Sequence, residues 1–326
     1  MKRTLFAFAL AIATGIAAPQ TAIAADAVTF RLNWYLSGWM APFFYGHQQG
    51  FYTDEGIDLT LSEGRGSGVA VQLIGAKTDM FGFADTSTVM LAITKDVPIK
   101  SVASILNVND AGVITLAGKG IKSAKDLEGK RIATTPGDST TATFPALLAL
   151  NKIERSKVTL VQVDATAKPL TVMEGRADAL LGGVSDQPFV IQSKGFKTEQ
   201  MTFSQLGVTL LGFTVITHND LIRDNPDLVR RFVKATSRAW ETARKNPELV
   251  MPALQKVKPD FDIVQGLGQL KVMIALMDTP NTQGKPAGTH AEKDFQANLD
   301  LLKEYRDLQT NLPATAFFTN AFVPQQ

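Results

Sequence analysis

Short runs rich in Val and Ile alternate with helical patterns from residue 28 to residue 217, and this alternation limits the chain to few folds. Strands that alternate with helices form a mainly parallel sheet, because each helix carries the chain back to the same end of the sheet. The predicted strands are Val28–Asn33, Ile57–Leu61, Asp79–Ala84, Ile99–Leu106, Val113–Ala117, Arg131–Thr134, Val158–Val163, Ala177–Leu181, Thr198–Phe203 and Gly212–Thr217. The pattern therefore predicts an α/β fold that binds its ligand in the loops at the carboxyl ends of these strands.

From Asn219 onward the pattern is helical only. The segments 225–227 (Asn-Pro-Asp) and 246–248 (Asn-Pro-Glu) both predict a helix start, with Asn as N-cap, Pro in the first turn and an acid facing the helix dipole. Trp240 lies on the apolar face of the first of these helices. We therefore interpret Trp240 as a core residue.

The length of the chain predicts two domains, because a single core rarely serves a chain of this size. Two extended segments, 107–115 and 212–219, leave an α/β block between them. We expect a discontinuous domain I, residues 25–110 and 216–326, and an inserted domain II, residues 111–215. Two connecting strands would then form a hinge beside a ligand cleft. Two consecutive domains are the alternative.

Residues 1–24 predict a cleavable signal peptide. Lys2 and Arg3 are followed by an apolar run at 5–18 and by the small-residue cleavage site 22–24 (Ala-Ile-Ala). The run is shorter than the roughly 20 residues that span a bilayer, which disfavours the alternative of a retained anchor. The chain contains no cysteine, so it has neither disulfides nor a lipid attachment point. We expect a protein of the Gram-negative periplasm.

Charge and composition exclude several function classes. Lys and Arg together number 33 against 31 for Asp and Glu, and no basic stripe predicts a nucleic-acid surface. The three histidines are scattered without metal-ligand spacing. We therefore expect no nucleic-acid partner, no metal and no cofactor.

The candidate ligand contacts lie in loops that follow the predicted strands. Aromatic rings after the first strand suit a stacking platform, and a glycine-rich loop before a helix suits an anion or a carbonyl oxygen. The predicted contacts in domain I are Trp34, Tyr35, Trp39, Arg65, Gly66, Ser67, Asp85, Thr86 and Ser87. The predicted contacts in domain II are Asp138, Ser139, Thr140, Asp186 and Gln187.

These residues also have structural alternatives. A tryptophan can close the edge of the core, Arg65 can be a solvated loop charge, and Asp138 or Ser139 can cap a helix. The charges nevertheless bear on the ligand. Asp85, Asp138 and Asp186 lie in cleft loops with Arg65 as the nearby cation, so an enclosed anion would meet like charge. This balance favours a neutral or amine-bearing ring.

Several motifs together resemble one known family. They are Trp34 after the first strand, the corner 50–57 (GFYTDEGI), the segment 75–82 (GAKTDMFG), the segment 123–133 (SAKDLEGKRIA) and the segment 175–179 (GRADA). In this order they resemble the periplasmic solute-binding proteins of ABC importers, in the group that binds nitrate, sulfonates, taurine and pyrimidine precursors of thiamine. The resemblance implies a two-domain, type II-like periplasmic binding protein with a ligand cleft and a two-strand hinge.

The resemblance also implies a role. The chain would be a monomer that captures a small solute in the periplasm, a pyrimidine or another small aromatic ring, and delivers it to a membrane permease driven by an ATPase subunit. Pyrimidine-binding relatives often carry an acidic residue near position 186, and Asp186 is the nearest candidate. The alternatives are nitrate, a sulfonate such as taurine, or an aromatic carboxylate as the solute, and a sensor as the partner.

An enzyme is the alternative of another class. Related fungal proteins with this fold make the thiamine pyrimidine with a cysteine-rich iron site and a reactive histidine. This chain has no cysteine, and His47, His218 and His290 are far apart in the sequence. We therefore expect that the chain is not an enzyme.

Overall fold

The computed structural model describes residues 25–306 and 308–325, and the predicted signal peptide lies outside them. The strands of this part of the chain are β1 Asp26–Arg31, β2 Ile57–Ser62, β3 Phe81–Asp85, β4 Ile99–Ser104, β5 Ala111–Leu116, β6 Arg131–Thr134, β7 Thr159–Gln162, β8 Ala179–Gly183, β9 Thr198–Thr202 and β10 Phe213–His218. Each predicted strand is confirmed, with its ends displaced by at most two residues.

The helices lie between these strands and after β10. They are α1 Ala41–Gln48, α2 Ser67–Gly75, α3 Thr86–Ile93, α4 Ser139–Leu150, α5 Lys168–Met173, α6 Gln187–Gln192, α7 Asn219–Asp224, α8 Pro226–Lys245, α9 Pro247–Val250, α10 Pro252–Val257, α11 Ile263–Ile274 and α12 Glu292–Tyr305. Asn225 and Asn246 cap α8 and α9, as predicted, by accepting hydrogen bonds from backbone N–H groups three residues on.

The strands form two five-stranded sheets. Sheet A has the order β2-β1-β3-β10-β4, and sheet B has the order β7-β6-β8-β5-β9. In each sheet the first three strands are parallel, and the fourth, β10 or β5, runs antiparallel to its neighbours. The α/β fold class predicted from the sequence is confirmed.

The chain passes between the sheets twice. It leaves sheet A after β4 and enters sheet B at β5, and it returns from β9 to β10. Residues 213–215 belong to β10 of sheet A, whereas the sequence analysis assigned them to domain II. The domain boundaries remain a prediction.

The core beneath sheet A is rich in aromatic rings. The ring of Trp240 on α8 is fully buried and meets the ring of Phe43 edge to face, with centroids 5.5 Å apart. Phe81 of β3 stacks on Phe232 of α8 at 3.9 Å. These contacts confirm that Trp240 is a core residue, and they fix α8 beneath the strands whose loops form the site.

His290, in the loop before α12, fastens the C-terminal segment to sheet A. Its Nδ1 lies 2.9 Å from Oδ1 of Asn320, its Nε2 contacts the Ser101 hydroxyl of β4, and its ring stacks on Phe318 with centroids 4.9 Å apart. Burial lowers the pKa of His290 to about 4. The ring is therefore neutral in the folded protein at pH 7.

We expect His290 to make the protein less stable in acid. In the unfolded chain this histidine binds a proton below about pH 6.5, whereas the folded chain resists protonation down to about pH 4, so folding stability falls across that interval. At about 1.36 kcal/mol per pKa unit, the loss approaches about 3 kcal/mol. Urea unfolding at pH 7 and pH 4 should show that His290→Gln loses less stability than the wild type, and equal losses would contradict this expectation.

Candidate functional site

A small cavity lies where the loops after β1, β6, β7 and β8 meet, at the carboxyl ends of the parallel strands of both sheets. Its volume is about 40 Å³, which is room for about three water molecules. It is lined by Asn33, Trp34, Trp39, Asp110, Asp138, Ser139, Thr140, Lys168, Gly182, Gly183, Ser185, Asp186 and Phe213. Both sheets therefore contribute to one site.

Asp186, at the start of α6, joins the two sides of this cavity. Its Oδ2 accepts hydrogen bonds from Trp34 Nε1 at 3.1 Å and from the Tyr35 hydroxyl at 3.0 Å, both in the loop after β1. Its Oδ1 accepts from Gln269 Nε2 of α11 at 3.1 Å. Gln187 Nε2 adds a bond to Oδ2 at 2.9 Å. The pKa of Asp186 is raised, because burial outweighs the hydrogen bonds from Tyr35, Gln187 and Trp34 that lower it.

Lys168 is the buried cation of the site. Its side chain is fully buried at the start of α5, where Nζ pairs with Asp138 and donates to the carbonyl oxygen of Leu181 at 2.8 Å. The ammonium also lies 4.9 Å from the centroid of the Trp34 ring. Asp138 in turn caps α4 by accepting from the Thr140 N–H at 3.0 Å. The ion pair between Lys168 and Asp138 thus connects the starts of α5 and α4 to the ring of Trp34.

Asp110 supplies a further carboxyl group to the cavity from the segment between β4 and β5. It is 5% exposed, and one of its oxygens accepts from the Ser185 hydroxyl. Burial raises the pKa of Asp110 to about 6. The group is therefore ionised at pH 7 and changes charge in mild acid.

Three buried polar atoms on cavity-lining residues have no hydrogen-bond partner within the described residues. They are Asn33 Oδ1, Trp39 Nε1 and Thr140 Oγ1. Oε1 of Gln187, a neighbour of Asp186, is a fourth such atom. Because buried polar groups are nearly always paired, these atoms are candidate hydrogen-bond partners for a polar ligand.

Most of the predicted contacts in sheet A do not line the cavity. Four of these side chains are buried and form hydrogen bonds within the protein. Ser67 accepts from the Asp85 N–H, and the Asp85 carboxylate accepts from Thr88 and Asn109. Thr86 donates to the Gly212 carbonyl oxygen, and Ser87 donates to Asn298. Burial raises the pKa of Asp85 to about 6. These side chains support the loops that carry the site.

The glycine-rich loop lies beside the cavity. Arg65 is exposed and lines a separate groove with Arg31 and Asp164, so the cation within the site is Lys168. Gly66 has a φ of 122°, and its N–H donates to the Asn33 carbonyl oxygen at 2.7 Å. The loop holds Asn33 in place, which is a positioning role.

The remaining predicted contacts come together. Trp34, Trp39, Asp138, Ser139, Thr140 and Asp186 line the cavity, while Tyr35 and Gln187 touch Asp186 from either side. Four residues of the site were not predicted as contacts from the sequence: Asn33, Asp110, Lys168 and Gln269. One signal was available for Lys168: a lysine in the first turn of a helix is unfavourable beside the positive end of the dipole unless an acid pairs with it.

Comparison with known proteins identifies the family. Residues 39–249, more than half of the chain, match the profile described as NMT1/THI5 like. The chain belongs to this family. The match spans α1 to α9 and includes the Lys168–Asp138 pair and Asp186.

Two relatives carry different kinds of names. A protein of Legionella pneumophila named 4-amino-5-hydroxymethyl-2-methylpyrimidine phosphate synthase is 26% identical over 72% of this chain and 74% of its own length. A protein of Chloroflexus aurantiacus named riboflavin-binding protein RibY is 25% identical over 72% of this chain and 69% of its own length. The relatives of this chain thus include one protein named as an enzyme and one named as a binding protein.

The name of the Legionella relative overturns one expectation. We expected from the sequence that the chain is not an enzyme, and this expectation is wrong. It rested on the ligands of a single iron site, whereas a relative named as a synthase aligns with 72% of this chain. Missing ligands for one kind of centre do not decide against other chemistry.

The fold is shared with periplasmic binding proteins. The solved periplasmic nitrate-binding protein NrtA from Synechocystis PCC 6803 superposes with a TM-score of 0.70 at 14% identity, over 90% of this chain and 84% of its own. The predicted periplasmic-binding-protein fold is therefore confirmed. Among the described helices, none combines the length and apolar character that a membrane span needs. The described residues also contain no group of three or more His, Cys, Asp or Glu placed to hold a metal ion.

Proposed function

We propose that this chain is the solute-binding component of an ABC importer and that its cleft captures a small ring compound bearing an amine. The observation that carries the proposal is the cavity between the sheets, where buried carboxylates and aromatic rings face unpaired polar atoms. The shared fold with a periplasmic nitrate-binding protein supports the transport role. Export through residues 1–24 and delivery to a membrane permease belong to the same proposal.

The charges of the cavity favour an amine over an anion. Three carboxyl groups, Asp110, Asp138 and Asp186, line it against one ammonium group, and that ammonium already pairs with Asp138. Asn33 Oδ1, an unpaired acceptor, adds to the negative character. A bare anion enclosed here would lose its hydration without gaining an opposite charge. A donor-rich ring would instead satisfy the acceptors.

The aromatic residues favour a flat ligand. Trp34, Trp39 and Phe213 all line the cavity, and Trp39 stacks on Phe213 with centroids 5.7 Å apart. Stacking on such rings adds about 0.5–1.5 kcal/mol beyond buried area. The names of two relatives, a pyrimidine phosphate synthase and a riboflavin-binding protein, both refer to nitrogen-containing rings. A cavity of about 40 Å³ is too small for a six-membered ring, so the two sides must separate as the solute enters.

Calorimetry on residues 25–326 tests the proposal directly. The panel pairs each aminopyrimidine with the same ring lacking the amine, and it adds nitrate, taurine and benzoate. We expect saturable heat with the amine-bearing rings and at least tenfold weaker binding of the matched rings without it. Binding of nitrate or taurine but of no ring would overturn the proposed ligand class, because the carboxylate-rich cavity would then have no role in selectivity.

The indole N–H of Trp39 provides a second test. Trp39→Phe keeps an aromatic ring but removes the unpaired donor, so the affinity for the ring solute should fall by about 2- to 12-fold, the value of one net hydrogen bond. Trp240→Phe is the matched control, because its buried Nε1 is also unpaired but lies in the core away from the cavity. Equal losses in both variants, measured by calorimetry, would indicate a change in stability and remove Trp39 Nε1 from the binding site.

A second candidate function is pyrimidine phosphate synthesis, which the name of the Legionella relative favours. Residues 25–326 produced in the cytoplasm of a bacterium that requires the thiamine pyrimidine would test it. Growth without the added pyrimidine would support a synthase. Failure of the soluble, folded protein to restore growth, together with tight binding of a ring solute in vitro, would favour the transport role.

A further inference from the structure

We propose that Asp186 is a latch, through which the protein closes its cleft with its own hydrogen-bond donors before any solute arrives. Asp186 follows β8 of sheet B, while Trp34, Tyr35 and Ser37 follow β1 of sheet A. Gln269 belongs to α11, which packs on the segment Gly38–Met40 before α1. The carboxylate therefore connects the two sides of the cleft directly.

The donors around Asp186 use its full capacity to accept hydrogen bonds. Oδ2 accepts from Trp34, Tyr35 and Gln187, and Oδ1 accepts from Gln269 at 3.1 Å and from the Ser37 hydroxyl at 3.4 Å. An ionised carboxylate offers about four lone-pair positions. Asp186 thus connects the two sides of the cleft through hydrogen bonds that the protein supplies itself.

Gln269, which belongs to α11 on the sheet A side of the cleft, holds the Asp186 carboxylate in place. Its Oε1 accepts from the Gly38 N–H at 2.7 Å while its Nε2 donates to Asp186, so the orientation of the amide is set by two partners of opposite kind. The side chain is 2% exposed and does not line the cavity. Gln269 is therefore a positioning residue for the latch, separate from the surface that meets the solute.

On the other side of the cavity, backbone atoms near β2 lie in close contact with backbone atoms of the loop after β6. The Gly68 N–H, in the first turn of α2, donates to the carbonyl oxygen of Gly137 in the loop after β6 at 3.2 Å. A Cβ atom placed on Gly66 would lie 2.5 Å from that same oxygen, nearer than real Cβ atoms come. Glycine at this position permits contact between the two loops, and the contact reinforces closure through Asp186.

The latch has a consequence for solute capture that rests on the proposed function. A cleft that closes on its own donors must open before a ring can enter, so the apparent affinity is the affinity of the open form multiplied by the fraction of molecules that are open. Weakening the latch should increase the open fraction. The association rate for a solute should then rise.

A spin-label distance measured without solute tests the latch apart from the ligand. The native chain has no cysteine, so Glu63→Cys and Asp164→Cys place two labels on exposed positions across the groove beside the cavity. We expect one short distance in the otherwise wild-type protein. Asp186→Ala should add a second population longer by several ångströms, and the matched control Asp58→Ala, at an exposed position of β2, should not.

Gln269→Glu provides a variant that keeps the acceptor for Gly38 but turns a carboxylate toward Asp186. We expect it to open the cleft as Asp186→Ala does and to accelerate solute association at least threefold in stopped-flow fluorescence. A single short distance in both variants, with unchanged thermal unfolding, would overturn the latch. A long distance in the parent protein would also overturn it. Neither result depends on whether a ring solute binds, so failure of the latch and failure of the proposed function are distinguishable.

Discussion

Lys168→Met should lower the free energy of unfolding by about 3–5 kcal/mol, the largest stability effect that we expect from a single charge in this protein. Lys168 is fully buried and pairs with Asp138, whose side chain is 8% exposed. Removing the ammonium leaves a buried carboxylate without its partner, and that unpaired charge costs more than the lost packing. Urea unfolding at pH 7 measures the difference.

Two further variants separate this explanation from simple loss of packing. In the double variant Lys168→Met with Asp138→Asn no unpaired charge remains, and the amide oxygen can still accept from Thr140 and cap α4. At least half of the lost stability should return. Lys125→Met, in the exposed pair with Glu128, should change stability by less than about 0.5 kcal/mol. A double variant as unstable as Lys168→Met would contradict the charge explanation.

The strands and helix starts could be predicted because their signals are local. Most of the strands contain Val or Ile, and the Asn-Pro pairs that begin α8 and α9 place the cap and the first turn within three residues. Tertiary packing only moved their ends. The fold class follows from the order of these elements.

The site was only partly predictable, because its chemistry depends on distant residues. Gln269 bonds to Asp186 across 83 positions of sequence, and Trp34 does so across 152. No local pattern indicates that α11 reaches the loop after β8. Asp85 shows the opposite error: its position after a strand suggested a ligand contact, but its carboxylate caps α3 and binds Asn109.

The same long-range packing explains the charge of the cavity. We expected from the sequence that Arg65 would be the cation beside the predicted acids, whereas the fold turns Arg65 outward and buries Lys168 beneath the Trp34 ring. Because Asp138 neutralises Lys168, the carboxyl groups of Asp110 and Asp186 determine the net charge of the cavity. Asp186 already accepts protein donors, so Asp110 is the acid best placed to meet a ligand amine.

Asp110→Asn should therefore weaken binding of an amine-bearing ring by about 10- to 100-fold, the loss expected for one hydrogen bond to a charged group. The substitution keeps the shape of the side chain and removes its negative charge. Calorimetry at pH 7.5 with an aminopyrimidine measures the change. The matched ring without the amine should bind both proteins with nearly equal affinity.

The pH dependence of binding gives the same prediction a second, independent measurement. The pKa of Asp110 is raised to about 6, so its carboxylate is charged above that pH and protonated below it. Affinity of the wild type for the amine should fall as the pH drops from 7.5 to 5, and Asp110→Asn should show a smaller fall. Asp85→Asn is the control, because burial raises the pKa of Asp85 to about 6 as well but its side chain does not line the cavity. If Asp85→Asn and Asp110→Asn weakened binding equally, the effect would come from the fold and not from a contact between Asp110 and the solute.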